Sequence, residues 1–354
     1  MADGIDWPTE DEVRQLAYST WEQRGGFHGF DQTFWHFAEE SLFLTKNYKP
    51  LCGFGLKLGA DGKKHFGSKD NRVCRYCGRS KPEVKFKKEA HSVPELLGNK
   101  NLISYDECDA CNTQFGETIE NDLAAMLNLP LIFSSEPGKK TSKKHKFKAS
   151  DDKVTEILTK QDELTVTDHH VTEAMKIDLE AGRYELDGSM KSGSFIPINA
   201  FKSLVKAGFA LMPQDELKHF PDLGGWLLSS DPTFRPVGFV VPEVTLIHIP
   251  GLIQHDGHVA LYERKSDSAN LPCWLFSILT KGIFLFVYLP FCRRDDQLKS
   301  PATLPTIPVL SPRMVEDGCP TTTHYNLSGT EKTAIHHELG GAIGSFTQTI
   351  VKRS

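Results

Sequence analysis

Residues 74–116 read CRYCGRSKPEVKFKKEAHSVPELLGNKNLISYDECDACNTQFG, and they decide how the middle of the chain folds. Two CxxC pairs, Cys74/Cys77 and Cys108/Cys111, lie near the two ends of this stretch, with 30 residues between them. Four thiolates complete the tetrahedral coordination of zinc and leave no position for a substrate. The spacing therefore predicts a structural zinc ion that displays the segment between the two pairs.

The composition is that of a globular protein: of 354 residues, 39% are apolar and 25% are charged, which suits two or three domains. The first residues are acidic and lack the apolar stretch of an export signal, so we expect a cytoplasmic protein. The most apolar stretch, residues 271–291, is interrupted by polar residues, which predicts two buried strands and no membrane contact. In that compartment, paired CxxC motifs are typical of metal ligands and not of disulfides.

The net charge of -5 conceals an uneven distribution of charge along the chain. Residues 51–150 hold 18 Lys and Arg against 12 Asp and Glu, whereas the remainder of the chain is acidic. A basic middle in an acidic chain predicts contact with nucleic acid that is confined to one part of the protein. The alternative is chance clustering with a basic linker, since residues 139–148 supply six of the bases.

Residues 9–44 predict a hairpin of two helices. Thr9 and Glu12 have the spacing of a capping box, and Asp31 is placed to begin a second helix. The apolar residues then fall on one face of each helix: Val13, Leu16, Ala17, Trp21, Phe34, Trp35, Ala38 and Leu42. The patterns Ala17-Tyr18-x-x-Trp21 and Trp35-x-x-Ala38-Glu39 resemble a small bacterial domain of unknown function, which assigns no chemistry.

The remaining segments complete an α+β prediction. Residues 45–71 are rich in glycine and lysine and predict a loop or a ragged hairpin. Beyond them a helix is predicted from about Pro197 to Pro213, followed by β-type runs at 237–241, 244–249, 259–262, 274–279 and 283–289. We therefore expect a helical hairpin (1–45), a zinc domain (46–133), a basic linker (134–152) and an α+β domain with an antiparallel sheet (153–354).

The stretch His91-Ser-Val-Pro94, followed by Asn101 and then by Asn112 directly after Cys111, carries a specific motif. Together with the CxxC pairs, it resembles the HNH endonuclease family over residues 72–127. The resemblance implies a ββα-metal fold in which a strand ends at the catalytic histidine. It also implies a loop that carries the middle asparagine and a helix that opens with the final one.

These residue types suit the hydrolysis of a phosphodiester bond. A neutral imidazole titrates close to working pH, which makes His91 apt to take a proton from water. Mg²⁺ or Mn²⁺ supplies positive charge at the phosphate, and the amide oxygen of Asn112 is a ligand that such a cation prefers. Asn101 is expected to orient the imidazole or to brace its loop. Three lysines on the approach to His91 are predicted to touch the DNA backbone: Lys85, Lys87 and Lys88.

The sequence departs from the family at the residue directly before the histidine. Relatives often carry a metal-binding acid or histidine there, whereas this chain has Ala90. Glu89 would share a strand face with His91, so we expect it to supply the missing oxygen to the catalytic metal. Glu107, Glu117 and Glu120 are alternative ligands, and a non-cutting member of the family is also compatible with Ala90.

The sequence as a whole predicts a metal-dependent HNH endonuclease that cuts DNA. Its C-terminal domain is acidic, and we expect it to sense a small molecule or protein activator or to form a homo-oligomer. The order of the domains resembles that of effectors of bacterial antiviral systems, including those switched on by cyclic oligonucleotides. The alternatives are a non-catalytic zinc module that binds nucleic acid or protein, and a restriction-type enzyme that reads DNA through its C-terminal domain.

Overall fold

The computed structural model describes residues 4–23, 31–57, 62–132, 143–149, 154–160, 163–167, 175–178, 183–248, 257–280, 282–298 and 321–345. Within these residues the chain forms six α-helices: α1 (Glu10–Gln23), α2 (Asp31–Asn47), α3 (Asp109–Glu117), α4 (Ile119–Ile132), α5 (Pro197–Leu211) and α6 (Leu223–Leu228). The same residues form fifteen strands: β1 (Tyr48–Gly55), β2 (Lys64–Phe66), β3 (Ala90–His91), β4 (Leu102–Ser104), β5 (Lys143–Ala149), β6 (Val154–Lys160), β7 (Glu163–Thr167), β8 (Met175–Asp178), β9 (Arg183–Lys191), β10 (Glu243–His248), β11 (His258–Arg264), β12 (Trp274–Thr280), β13 (Ile283–Tyr288), β14 (Thr321–Asn326) and β15 (His336–Ser345). This mixture of helices and largely antiparallel strands confirms the α+β prediction.

The chain divides into two compact units, one formed by residues 1–123 with 196–331 and the other by residues 124–195 with 332–354. This grouping differs from the linear division expected from the sequence. The chain leaves the first unit after residue 123 and returns to it at residue 196, so that α5, α6 and β10 to β14 belong to the same unit as the zinc segment. None of the helices within the described residues is long and apolar enough to cross a membrane.

The N-terminal hairpin forms as its sequence predicts. The backbone N–H of Thr9 donates to the Glu12 carboxylate at 2.7 Å, and the backbone N–H of Glu12 donates to Thr9 Oγ1 at 3.3 Å. This reciprocal capping box begins α1. The apolar faces of α1 and α2 form one cluster: Val13, Ala17, Phe34 and Ala38 are buried, with Leu16, Trp21, Trp35 and Leu42 packed against them. By its sequence the pair Gly25-Gly26 is expected to end the first helix, and it lies outside the described residues.

A six-stranded antiparallel sheet with the order β1-β11-β12-β13-β10-β14 forms the larger core of the first unit. The prediction of a loop or ragged hairpin for residues 45–71 was wrong at β1, which pairs with β11 from Tyr48↔Arg264 to Gly55↔His258. The sequence hides this strand because its burial pattern is mostly exposed and its partner lies about two hundred residues away in the chain.

Four of the five β-type runs of the C-terminal half are strands of this sheet, β10 to β13. The run at residues 237–241 is not a strand, since Val237 is fully exposed and Gly238 has a φ of 143°. The helix expected from Pro197 is α5, and its residues are all buried except Asn199. Residues 214–228 form a 3-10 helix, Gln214–His219, and the short helix α6.

The second unit contains an antiparallel sheet with the order β15-β9-β5-β6-β7, to which β8 adds by pairing with β9. Residues 134–152 were expected to be a linker, yet β5 (Lys143–Ala149) lies within them and pairs with both β6 and β9. The sequence offered a signal for this strand, since lysines stand at every second position, at Lys144, Lys146 and Lys148.

Candidate functional site

The four cysteines of the two CxxC pairs meet at one point. Their sulfur atoms lie within 4.8 Å of one another, with Cys74 Sγ 3.8 Å from Cys111 Sγ and Cys77 Sγ 3.9 Å from Cys108 Sγ. Zinc–thiolate bonds of about 2.3 Å in a tetrahedron place the sulfurs about 3.8 Å apart. The cluster therefore fits a zinc ion, and in the described part of the chain it is the one group of three or more His, Cys, Asp or Glu residues that could hold a metal.

Local backbone geometry places these ligands. Gly78 adopts a φ of 69°, which allows its N–H to donate to Cys74 O at 2.8 Å and turns the first pair back on itself. Cys108 is the N-cap residue of α3, so Cys111 lies in the first turn of that helix and faces the same point. The side chain of Arg79 hydrogen-bonds Cys77, which raises the pKa of Arg79 and brings a positive charge to a cluster of thiolates.

A three-stranded sheet with the order β2-β4-β3 lies beside the cysteine cluster in sequence and carries the predicted catalytic histidine. His65 of β2 and His91 of β3 both pair with Ile103 of β4, so the two imidazoles share one face of the sheet. His91 is half-buried and His65 is exposed. His65 also stacks on Tyr105, with ring centroids 4.3 Å apart. Ile103, which lies between the two histidines on this face, is 2% exposed.

The structure brings Asn99 to His91 in place of Asn101. Asn99 is fully buried, and its Nδ2 lies 3.5 Å from His91 Nδ1 and donates to Val93 O at 2.8 Å and to Leu102 O at 2.9 Å. Its Oδ1 accepts from the backbone N–H of Leu102 at 2.8 Å and of Asn101 at 3.1 Å. Both amide hydrogens of Asn99 form shorter hydrogen bonds to backbone carbonyls than the 3.5 Å contact with His91. Asn99 therefore stabilises the loop next to the imidazole and does not select the tautomer of His91.

Asn101 lies at the other side of that loop. Its Nδ2 donates to Gly55 O at 3.1 Å, and its Oδ1 accepts from the backbone N–H of Lys64 at 3.2 Å. It therefore joins the loop to β1 and β2, which is the second of the two roles predicted for it, whereas Asn99 is the asparagine that lies next to the imidazole. The sequence does contain a signal, since Gly98-Asn99 is a turn dipeptide and Gly98 has a φ of 86°.

Asn112 and the predicted DNA-binding lysines surround the first turn of α3. Asn112 is half-buried on that helix, and its backbone N–H donates to Cys108 O at 3.0 Å. The Asp109 carboxylate accepts from the backbone N–H of Lys87 at 2.8 Å and of Lys88 at 2.9 Å. Lys88 Nζ also donates to Thr113 Oγ1 at 2.7 Å. Lys85, Lys87 and Lys88 are exposed, so the segment before His91 presents its positive charges to solvent.

Glu89 lies two residues before His91 and forms an ion pair with Lys63. This hydrogen bond with Lys63 is the main cause that lowers the pKa of Glu89, and it keeps the carboxyl ionised. Ala90, by contrast, is 1% exposed and offers no ligand atom. A metal ion at Glu89 would therefore have to compete with the Lys63 ammonium.

Glu107 and Glu120 each form an ion pair with the buried ammonium of Lys206 in α5. Lys206 Nζ lies 3.1 Å from Glu120 Oε1 and 3.3 Å from Glu107 Oε2, and it also donates to His91 O at 2.9 Å. Burial raises the pKa of Glu107 to about 7 against the opposing effect of the Lys206 ammonium. Burial alone would lower the pKa of Lys206, but the two carboxylates raise it overall. Glu117, the third alternative metal ligand, is exposed and forms no ion pair with another described residue.

Helices α5 and α6 cover the cysteine segment. Arg75 forms a buried ion pair with Asp106 at 2.6 Å and donates to Met212 O at 3.2 Å, at the C-terminal end of α5. The ring of Tyr76 packs edge-on against Phe115 and Phe209, at centroid distances of 4.8 Å and 5.9 Å. The zinc segment is therefore part of a core to which residues 196–228 contribute, which sequence analysis did not anticipate.

Comparisons with known families agree with this geometry. Residues 74–128 match the model of a family described as HNH endonuclease, which confirms the resemblance stated from the motif. Residues 8–43 match a family described as a protein of unknown function (DUF2934), which confirms the second resemblance. No curated protein and no solved structure matches the chain. The HNH match and the cysteine cluster support a nuclease-like, metal-binding role, and an HNH domain implies a nucleic-acid substrate.

Proposed function

We propose that this protein is a metal-dependent endonuclease that hydrolyses DNA phosphodiester bonds, with His91 as the general base. The observation that carries the proposal is the position of the half-buried His91 at the end of β3, within the segment that matches the HNH family. The zinc ion is structural in this proposal, since all four of its ligands are thiolates of the protein.

The chain's own residues hold the base in place. The backbone of His91 is fixed by the pairing of β3 with β4 on one side and by Lys206 on the other. Asn99 supports the loop under the ring. A neutral imidazole held in this way takes a proton from a water molecule that attacks the phosphorus. Because the base is already held in position, the entropic cost of aligning it with the substrate is lower.

Asn112 and Glu89 are the proposed ligands of a catalytic Mg²⁺ or Mn²⁺ ion. Such an ion supplies positive charge to the scissile phosphate and is commonly held by one or two protein oxygens with waters and the substrate. Asn112 directly follows Cys111 in the first turn of α3, and its backbone N–H donates to Cys108 O at 3.0 Å, so its backbone is well fixed. Glu89 is ionised and exposed, which makes its carboxylate accessible.

Charge supports DNA as the substrate. Residues 62–89 contain ten Lys and Arg against three Asp and Glu, and the segment that precedes β3 contributes Lys85, Lys87 and Lys88. We propose that these three lysines contact the phosphate backbone, which positions DNA without reading its sequence. Lys88, with its hydrogen bond to Thr113, is expected to contribute least of the three.

Control by the C-terminal half is a further part of the proposal. The contact between α5 and the His91 carbonyl supports it, because a change in that half of the chain would reach the base directly. A small molecule or protein is the proposed activator, and self-association is the proposed alternative. A role in bacterial antiviral defence rests on the order of the segments alone, and survival of phage challenge by cells that carry the intact or the His91→Ala gene tests it.

A second candidate function is a non-catalytic zinc module that binds nucleic acid or protein. The observation in its favour is Ala90, which is buried at the position where relatives carry a metal ligand. The first function predicts DNA cleavage and the second predicts none, whereas both are compatible with binding of nucleic acid.

Cleavage of supercoiled plasmid DNA with Mg²⁺ or Mn²⁺ tests the proposal. We expect His91→Ala to lower the rate by at least about 100-fold, because a positioned general base contributes on the order of 10² to 10⁴. Zinc content and melting temperature should be those of the unchanged protein. His65→Ala is the matched control, since it removes a histidine from the same sheet face and should leave cleavage within a few-fold. DNA binding without cleavage by the unchanged protein, with any activator, would favour the second candidate.

A further inference from the structure

The carbonyl of His91 has an unusual hydrogen-bond partner. Strand β3 lies at the edge of its sheet and pairs only with β4 among the described residues. The backbone N–H of Ser92 donates to Leu102 O at 3.1 Å, so in an antiparallel pair the carbonyl of His91 points away from β4. Lys206 Nζ meets that carbonyl at 2.9 Å, where a further strand would otherwise donate.

Lys206 reaches this position from the buried side of α5. Its side chain is 0% exposed, and its ammonium lies 5.6 Å from the centre of the Phe115 ring in α3. A buried ammonium needs partners for its charge, and Glu107 and Glu120 provide them at 3.3 Å and 3.1 Å. Glu107 directly precedes the zinc ligand Cys108, and Glu120 lies in the first turn of α4. One ammonium thus ties the His91 backbone to the cysteine segment and to α4.

We propose that Lys206 is a positioning residue for His91 and transmits the position of α5 to the imidazole. This inference rests on the proposed nuclease function and names how residues outside the HNH match regulate it. Lys206 does not touch the substrate. It fixes the peptide unit from which the imidazole projects, so a displacement of α5 moves the base away from its attacking position.

Helix α5 contains a matched control for this role. Lys202 lies one turn before Lys206 and is also 0% exposed. Its Nζ donates to Ser229 O at 3.1 Å and lies 5.1 Å from the centre of the Trp226 ring, within the α5–α6 contact. Replacing either lysine with methionine removes a buried ammonium from the same helix. Only the change at residue 206 removes a hydrogen bond to His91.

Steady-state cleavage of DNA by the full chain is the first test. We expect Lys206→Met to lower kcat by roughly 10- to 100-fold with KM within two- to three-fold, since an error of about 1 Å in a reacting group has an effect of that size. Lys202→Met should keep kcat within about three-fold. An equal loss of kcat in both variants, at equal melting temperature, would reduce Lys206 to a structural residue and overturn the inference.

The second test does not depend on cleavage. With ¹⁵N-labelled histidine, the imidazole signals of His91, identified by their loss in His91→Ala, should shift in Lys206→Met and stay in place in Lys202→Met. Unchanged His91 signals in Lys206→Met would overturn the inference even if the protein cuts DNA. Shifted signals in a protein that cuts no DNA would uphold the coupling and reject the nuclease proposal. If Lys206→Met fails to fold, Lys206→Met with Glu107→Gln removes the unpaired buried acid, and the same two readouts apply.

Discussion

Two regions within residues 74–128 are built in different ways. We call the cysteine cluster the zinc end and the loop around His91 the histidine end. At the zinc end, the four cysteines come from two short turns, and local hydrogen bonds such as Gly78 N–H to Cys74 O and Asn112 N–H to Cys108 O shape each pair. At the histidine end, the loop around His91 is held by Asn99, by Gly55 O through Asn101, by Thr280 Oγ1 at Leu97 O and by Lys206. A site made of local turns can be recognised by spacing, whereas a site held by distant segments depends on the rest of the fold.

The zinc end and the histidine end also differ in what they contribute, the first to folding and the second to the proposed chemistry. The zinc end fixes the backbone of α3 and therefore the start of the helix that bears Asn112. The histidine end is where β1, β4, β12 and α5 converge on one short loop. Substitutions at the zinc end should unfold the module, whereas substitutions at the histidine end should lower activity more than stability.

The largest expected effect is the loss of a zinc ligand. Cys108→Ser should lower zinc from about one ion per chain towards zero and reduce the melting temperature by more than about 10 °C, because structural zinc contributes on the order of 10 kcal/mol to folding. Elemental analysis and a thermal melt measure both. Cys52→Ser, which alters a half-buried thiol of β1, should retain its zinc. Full zinc loading in a variant that lacks both Cys108 and Cys111 would refute the assignment.

A smaller effect is expected from the two asparagines that share the loop. Asn99→Ala should destabilise the protein by about 3 kcal/mol, because it leaves several buried backbone groups without a partner. It should also lower the cleavage rate. Asn101→Ala removes contacts that are more exposed, so its effect on stability should be less than about 1 kcal/mol. Denaturant unfolding compares the two variants, and a larger effect at Asn101 would restore the role first predicted for it.

Substitutions at two neighbouring glycines of α6 test its contact with the turn between Cys74 and Cys77, which we call the zinc knuckle. A Cβ on Gly224 would lie 2.4 Å from Tyr76 O, whereas a Cβ on Gly225 meets nothing within 4 Å. Gly224→Ala should therefore destabilise by about 2 kcal/mol through overpacking. Gly225→Ala should be neutral or stabilise by up to about 1 kcal/mol, as alanine favours a helix. Equal melting temperatures for the two variants would show that α6 does not cover the knuckle in solution.

The smallest expected effect is on metal affinity and not on folding. Glu89→Gln should raise the Mg²⁺ concentration for half-maximal cleavage by about 10-fold if Glu89 is a ligand, and should leave the melting temperature unchanged. Glu83→Gln removes an exposed acid from the same segment and serves as the control. Ala90→Asp in the Glu89→Gln background should restore part of the affinity. Normal cleavage by Glu89→Gln at low Mg²⁺ would transfer the role to another acid, with Glu117 the first to test.

Sequence alone identified the four cysteines that cluster, the capping box of α1 and the faces of the helical hairpin, together with α5 and four strands of the larger sheet. Each depends on the spacing of residues within one turn, helix or strand, and such spacing is readable without a fold. The wrong assignment for residues 45–71 concerns a strand whose partner lies far away in the chain, where no local period exists.

Tertiary structure alone decided which asparagine supports His91 and what becomes of the carboxylates near the zinc ligands. Asn99 and Asn101 differ by two positions, and only the course of the loop places one of them beneath the imidazole. Glu107 and Glu120 could be metal ligands by their position in the sequence, but Lys206 arrives from a helix more than eighty residues further along and pairs with both. Spacing in the sequence determines contacts within a turn or a helix, whereas the pairing of a buried charge depends on which distant element packs over it.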